Sequence, residues 1–145
     1  MSARMRIFAP LYWTATAALF AVAIMRLVGF TPTEVTMGPI QKIFYLHLPV
    51  AIATFLACLV CFIGSIGYAW QRSPKWDLLA ASGARVAVIL CSVVLITGMI
   101  WGRSAWGQWW TWSPRLTFSL VLWLLYVVYL MIRGSIESPS RRAVV

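Results

Sequence analysis

A single histidine and a cluster of tryptophans are the residues of this 145-residue sequence whose types and spacing could do chemistry. His47 is the chain's one histidine, and neutral imidazole is a common metal ligand. Five of the nine tryptophans fall within residues 101–112, namely Trp101, Trp106, Trp109, Trp110 and Trp112. Indole rings at this density could hold a planar, apolar ligand, and the adjacent Arg103 and Arg115 could pair with acidic groups on its edge.

Both features also have purely structural explanations. Tryptophan collects at the membrane–water interface, so an aromatic belt explains one or two such residues at a helix end. A histidine in a membrane segment is satisfied equally well by a hydrogen bond to a neighbouring helix or to interfacial water. The residues alone leave these alternatives open, although an ionisable side chain within a membrane span marks a functional site by default.

The composition indicates that lipid is the solvent for the elements that position these residues. Hydrophobic residues make up 62% of the chain and charged residues 10%, and the mean hydropathy is +0.86. Four apolar stretches approach the ~20 residues that a membrane-crossing helix needs, at about 11–30, 44–70, 84–101 and 116–132. Backbone groups in lipid must be paired internally, so these stretches are predicted to be helices. The sequence therefore predicts an all-α integral membrane bundle at 1–133, followed by a tail at 134–145.

The distribution of Lys and Arg predicts the orientation of the bundle. Eight basic residues lie in the N-terminus, the connection between the second and third spans, and the tail, against four on the other side. Because cytoplasmic segments carry the excess of positive charge, both termini are predicted to be cytoplasmic. The Trp-rich loop at 101–115 and His47 are then external. The net charge of +9 is scattered rather than gathered in a stripe, so no nucleic-acid partner is expected.

Nothing in the sequence favours catalysis, so the protein is not expected to be an enzyme. The chain has three carboxylates, none in a span or in the Trp-rich loop, and no phosphate-binding glycine loop. One of them, Asp77, is expected to begin the third span or to pair with Lys75.

The pair Cys58 and Cys61 lies mid-span, where a thiolate is not solvated, so these are interpreted as small apolar residues. Helix-contact positions are expected at Gly64, Gly67 and Gly98.

Residues 106–117 read WGQWWTWSPRLT and resemble the tryptophan-rich signature WGxWWxWDxRLT of the CcmC/CcsA family of cytochrome c maturation proteins. Upstream, Tyr45, His47 and Pro49 resemble the Tyr-x-His-x-Pro pattern of that family's second span. The resemblance extends over about residues 41–133. It implies a multi-pass protein of the bacterial inner membrane that holds haem b transiently at an external Trp-rich surface. It further implies that ABC-type haem exporter subunits supply the haem, and that a haem chaperone or apocytochrome receives it.

By the same resemblance, His47 would ligate the iron, the five tryptophans would stack on the haem, and Arg103 and Arg115 would neutralise its propionates. Two departures stand out: Ser113 replaces the Asp of the motif, and the second external histidine of the six-span family is not in this chain. Either a second copy or a companion subunit would supply another iron ligand, or one histidine would bind the haem alone, or no haem would be bound. The alternative hypothesis is a non-catalytic structural or interaction subunit of a larger membrane complex, with no haem bound.

Overall fold

The computed structural model describes the backbone of residues 3–144 and the side chains of residues 8–138 and 141–144. Within this range the chain forms α1 (Ala3–Gly29), a short 3₁₀ helix (Pro39–Gln41), α2 (Lys42–Gln71), α3 (Pro74–Trp106), α4 (Pro114–Ser135) and α5 (Pro139–Arg142). Four helical segments are long and apolar enough to cross a membrane: Phe8–Gly29, Pro39–Gln71, Pro74–Trp106 and Pro114–Ser135. The described residues contain no β-strand, so the predicted all-helical, four-span architecture is confirmed.

The chain divides into two compact units, Met1–Tyr45 and Leu46–Val145. The first unit contains α1 and the segment that leads to α2. Glu34 organises that segment, since its carboxylate accepts hydrogen bonds from the backbone N–H groups of Thr36 and Met37. These hydrogen bonds hold the pKa of Glu34 below its ordinary value of 4.5, with the Met37 amide the larger cause. The Lys42 ammonium group donates a hydrogen bond to the Val28 carbonyl of α1 at 2.8 Å.

Small residues form the interface between α2 and α3 in the second unit. A Cβ added at Gly64 would lie 2.6 Å from the Ala80 nitrogen, and one at Gly83 would lie 2.7 Å from the Cys61 nitrogen. The two backbones are therefore in direct contact, as is typical of membrane helices that associate through small residues. The contact role predicted for Gly64 is confirmed, and Gly67 likewise faces the Trp76 ring. The predicted apolar role of the cysteines agrees with Cys61 and Cys91, which are buried free thiols.

Helix α4 packs on α3 and runs antiparallel to it. Near the middle, the Trp123 indole N–H donates to the Ser92 hydroxyl at 2.8 Å. One end of the pair is joined by an ion pair between Arg133 and Asp77 at 2.7 Å. The core of this unit joins Cys61 of α2 to Ala84 of α3, and Tyr126, Tyr129 and Leu130 of α4 pack against it.

The helices are longer than the predicted spans. Helix α3 begins ten residues before the predicted third span and ends at Trp106, so residues 101–106 of the predicted loop 101–115 are helical. A helix that leaves the hydrocarbon continues until a residue stops it, and Gly107, with φ 76°, supplies the left-handed C-terminal cap. The predicted tail at 134–145 includes the last turn of α4 and all of α5. Residues 1, 2 and 145 of the predicted domain and tail lie outside the described residues.

Candidate functional site

His47 lies in the second turn of α2 and contacts α3 through a hydrogen bond. Its Nδ1 is 2.8 Å from the Thr97 hydroxyl oxygen. That hydroxyl also donates to the carbonyl of Val93, four residues earlier in α3, at 2.7 Å. The imidazole is partly buried. His47 thus makes the hydrogen bond to a neighbouring helix that the sequence left open beside the ligand role. This hydrogen bond occupies one of the two ring nitrogens.

Gly98 of α3 lies against the imidazole ring. A Cβ at this position would lie 3.4 Å from Cε1 of His47 and 4.0 Å from its Nδ1. The sequence predicted a helix-contact role for Gly98, and the structure gives that contact a specific partner, the candidate ligand itself. Thr97 was not predicted. The available signal was a hydroxyl next to a glycine in an otherwise apolar span, within one helical turn of the first tryptophan of the cluster.

The Trp-rich segment is held by a sharp turn at the end of α3. Gly107 donates its backbone N–H to the Arg103 carbonyl, and the Arg103 guanidinium donates back to the Gly107 carbonyl. The chain passes over buried Gly102, where a Cβ would lie 3.4 Å from the Gln108 carbonyl oxygen. Arg103 therefore stabilises this turn, a structural role that the sequence did not predict.

The five tryptophans form two edge-to-face pairs and one separate exposed ring. Trp101 contacts Trp106 with centroids 4.8 Å apart, and Trp110 contacts Trp112 at 5.7 Å. In each pair the second ring is exposed, 58% for Trp106 and 76% for Trp112, whereas the first is partly buried. Trp109 is also exposed. The partly buried rings position the exposed ones, so the segment presents three indoles on its surface.

Three polar atoms beside this surface are buried and have no hydrogen-bond partner among the residues that the structure describes. They are the indole nitrogen of Trp110, the hydroxyl of Ser113 and the hydroxyl of Thr117. Ser113 is the N-cap of α4 and Pro114 follows at the first position, as its sequence favours. The hydroxyl of Ser113 makes no capping hydrogen bond, however. Buried donors without partners are rare in folded proteins, so this group of atoms requires an explanation.

Arg115 lies in the first turn of α4, next to the Trp-rich segment. Its side chain is exposed, and it lies near enough for its charge to act on the His47 imidazole. Because Thr97 and Trp101 are four residues apart, they lie on the same face of α3. Of the predicted site, the structure thus places Trp101 on the face of α3 that carries Thr97, the partner of His47, and places Arg115 within electrostatic range of the imidazole. It assigns the guanidinium of Arg103 to the turn at Gly107 instead.

At the opposite end of the bundle, Asp77 has a different partner from the one expected. Both its carboxylate oxygens accept hydrogen bonds from the Arg133 guanidinium, at 2.7 and 2.9 Å. Of the two expectations for Asp77, its position at the start of the third span agrees with the structure, since it lies in the first turn of α3, whereas the pairing with Lys75 is wrong. The planar guanidinium matches a carboxylate with two parallel hydrogen bonds, which an ammonium group cannot do.

Comparison with known proteins shows what this chain is similar to. The family model described as CcmC, Heme exporter protein C, matches residues 1–145. "Heme exporter protein C" of Paracoccus denitrificans is 34% identical over 136 residues, which cover 93% of this chain and 56% of the relative. The protein of the same name from Escherichia coli K12 is 34% identical over 118 residues, 79% of this chain and 48% of the relative. A "putative cytochrome c biosynthesis ccmC-like mitochondrial protein" of Marchantia polymorpha is 29% identical over 109 residues.

The chain spans about half the length of these relatives. The family model nevertheless covers the whole chain. The four helices of this chain that are long and apolar enough to cross a membrane agree with a multi-pass membrane protein. The chain belongs to the heme exporter protein C (CcmC) family.

Proposed function

We propose that this protein is a non-catalytic haem carrier of cytochrome c maturation, which holds haem b transiently at the Trp-rich end of α3 and α4. The observation that carries the proposal is the pair of hydrogen bonds at Thr97. Its hydroxyl has one proton, and the Val93 carbonyl lies 2.7 Å from the hydroxyl oxygen as an acceptor for it. With the proton donated there, the hydroxyl oxygen accepts from Nδ1–H of His47, which leaves Nε2 with the lone pair that an iron ligand needs.

The side chains at this site suit a metal ion that already has most of its coordination positions filled. Among the described residues there is no group of three or more His, Cys, Asp or Glu side chains that could enclose an ion. A porphyrin supplies four nitrogens to its iron and leaves axial positions for imidazole. The exposed indoles of Trp106, Trp109 and Trp112 offer flat apolar faces for the macrocycle. One imidazole together with a tryptophan surface supports the proposal of haem as the ligand.

The propionates of haem match the polar atoms that have no partner in the described part of the chain. The Trp110 indole nitrogen and the Ser113 and Thr117 hydroxyls are all potential donors, and Arg115 adds a positive charge. Carboxylate oxygens are acceptors only, and hydrogen bonds to charged groups are about twice as strong as neutral ones. In this site, Ser113 supplies a donor where the family motif has a carboxylate, which would repel a propionate.

The topology and partners belong to the same proposal. The Trp-rich end of the bundle faces the outside of the bacterial inner membrane, and both termini face the cytoplasm. The relatives are named exporter proteins. The protein would receive haem from ABC-type exporter subunits and pass it to a haem chaperone or apocytochrome. A second copy or a companion subunit would supply the second iron ligand.

An absorption titration tests the proposal. The full chain in mild detergent is titrated with haem, in oxidised and reduced states, and compared with His47→Ala. We expect a saturable Soret band in the wild-type protein that shifts or disappears in His47→Ala. Trp110→Phe should weaken binding by about tenfold, because a charge-assisted hydrogen bond of about 1.5 kcal/mol is lost.

Trp70→Phe is the matched control, since Trp70 is 83% exposed and lies near the far end of α2. It should leave the titration unchanged. A protein that shows no saturable band at stoichiometric haem would contradict the carrier proposal. The three exposed tryptophans would then be assigned to contact with another protein, as in a structural subunit of a larger membrane complex.

A further inference from the structure

A cavity lined by three arginines lies between α3 and α4 at the end of the bundle away from His47. Its volume is about 420 Å³, and its charged lining residues are Asp77, Arg85, Arg133 and Arg142. Three guanidinium groups face one carboxylate, which leaves an excess of two positive charges. We call this cavity the arginine pocket.

Two of the three arginines are fixed by contacts within the protein. Arg133 is 8% exposed and donates to both oxygens of Asp77 and to the Arg142 carbonyl. Arg142 donates through Nε and Nη2 to the Ile136 carbonyl, which folds the chain after α4 back over the pocket. These bonds position the two guanidinium groups without neutralising the charge of Arg142.

Arg85 is the third arginine, and its charge is not compensated. It is exposed, and it makes no hydrogen bond or ion pair with any other part of the chain that the structure describes. It lies eight residues after Asp77, about 12 Å along α3. A guanidinium that lines a basic cavity without a partner is available to an anion from outside the protein.

The depth of the arginine pocket indicates where that anion comes from. Asp77 and Thr97 are twenty residues apart in α3, a rise of about 30 Å, which equals the thickness of the hydrocarbon core. The Asp77 end of the pocket therefore lies at the membrane surface opposite His47, and the pocket extends from there to Arg85, about 12 Å closer to the middle of α3. Leu78, which is 64% exposed, and Leu130 also line it, so apolar chains can continue from the polar cavity.

We propose that the arginine pocket binds the phosphate group of an anionic phospholipid, with Arg85 and Arg142 as its ligands. Phosphate accepts the paired hydrogen bonds that guanidinium groups donate, and basic pockets between membrane helices are suited to such head groups. The exposed Leu78 favours a lipid over free phosphate, because acyl chains bury apolar surface that an inorganic ion cannot.

Thermal unfolding of the full chain tests the proposal. The protein is delipidated in a non-ionic detergent, and its Tm is followed during titration with phosphatidylglycerol, phosphatidylcholine or inorganic phosphate. A ligand that binds the folded state raises Tm in a concentration-dependent way. We expect saturable stabilisation by phosphatidylglycerol only. Arg85→Gln should weaken the apparent affinity by about fivefold, the equivalent of about 1 kcal/mol for one basic residue at a membrane surface.

Arg141→Gln is the matched control, because Arg141 is exposed near the same end of the bundle but does not line the cavity. It removes the same charge and should leave the affinity unchanged. Equal losses in the two variants would overturn the proposal in favour of diffuse surface charge. Equal stabilisation by inorganic phosphate or by phosphatidylcholine would also overturn it, as would no stabilisation by phosphatidylglycerol.

Discussion

Replacing Thr97 with valine tests whether the hydrogen bond to His47 prepares the imidazole for iron. Valine has nearly the shape of threonine but lacks the oxygen that lies 2.8 Å from Nδ1. The half-buried ring would then lose its acceptor. It could carry its proton on either nitrogen, and it could rotate against Gly98.

The expected loss follows from the hydrogen bond and its setting. Leaving a buried donor unpaired costs about 1–3 kcal/mol. A partner that orients a metal-binding histidine is worth about 10–100-fold in affinity, which agrees with that range. We therefore expect Thr97→Val to weaken haem binding by about 10–100-fold in an equilibrium titration followed at the Soret band. Thr97→Ser keeps the oxygen and should restore most of the affinity.

Thr54 offers the matched control for this experiment. Its hydroxyl donates to the Val50 carbonyl at 2.8 Å in α2, the same backbone contact that Thr97 makes in α3. It makes no hydrogen bond to His47, so Thr54→Val should bind haem normally. Wild-type affinity in Thr97→Val would refute the reasoning. An equal loss in Thr54→Val would show instead that the hydroxyls act through helix geometry.

Three further predictions concern the scaffold. Asp77→Ala should destabilise the protein by about 3–5 kcal/mol in a detergent unfolding titration, because it leaves the buried Arg133 without its carboxylate; a change below 1 kcal/mol would contradict this. Gly83→Ala should lower the free energy of unfolding by about 1–3 kcal/mol, since the new Cβ meets backbone atoms of α2. In Gly134→Ala the new Cβ meets nothing within 4 Å, so the free energy of unfolding should not fall. The pKa of Glu34 is lowered, so its carboxylate stabilises the loop fully at a pH above its ordinary pKa of 4.5, and this stabilisation is lost as the pH falls through the lowered pKa. A pKa of 4.5 or more for Glu34 in an NMR titration would contradict the hydrogen-bonded turn.

The sequence predicted the four helices well, because in lipid the length of an apolar stretch and its turn residues determine the fold almost alone. It predicted their ends poorly. Residues 74–83 and 101–106 are too polar or too aromatic to be assigned to hydrocarbon, yet they remain helical. Hydropathy reports where the lipid ends, whereas the helix ends where a residue such as Gly107 stops it.

The contacts between helices could not be predicted from one sequence. Asp77 pairs with Arg133, 56 residues away, while the nearby Lys75 was the local candidate. His47 and Thr97 are separated by 50 residues, and nothing local to either residue indicates the other. A single sequence gives the identity of polar residues in apolar spans but not the register between helices, which is determined by small residues such as Gly64 and Gly83 when the backbones pack.

The tight packing between α2 and α3 also limits how haem could reach His47. A Cβ at Gly83 would collide with the backbone at Cys61, and one at Gly64 would collide with the backbone at Ala80. Interiors packed this closely do not open for a macrocycle without separating the two helices, which would also expose the backbone to lipid. His47 lies near the Trp-rich end, outside this contact region. Any route for haem to His47 therefore runs from the membrane surface at that end or from the surrounding lipid, and not between α2 and α3.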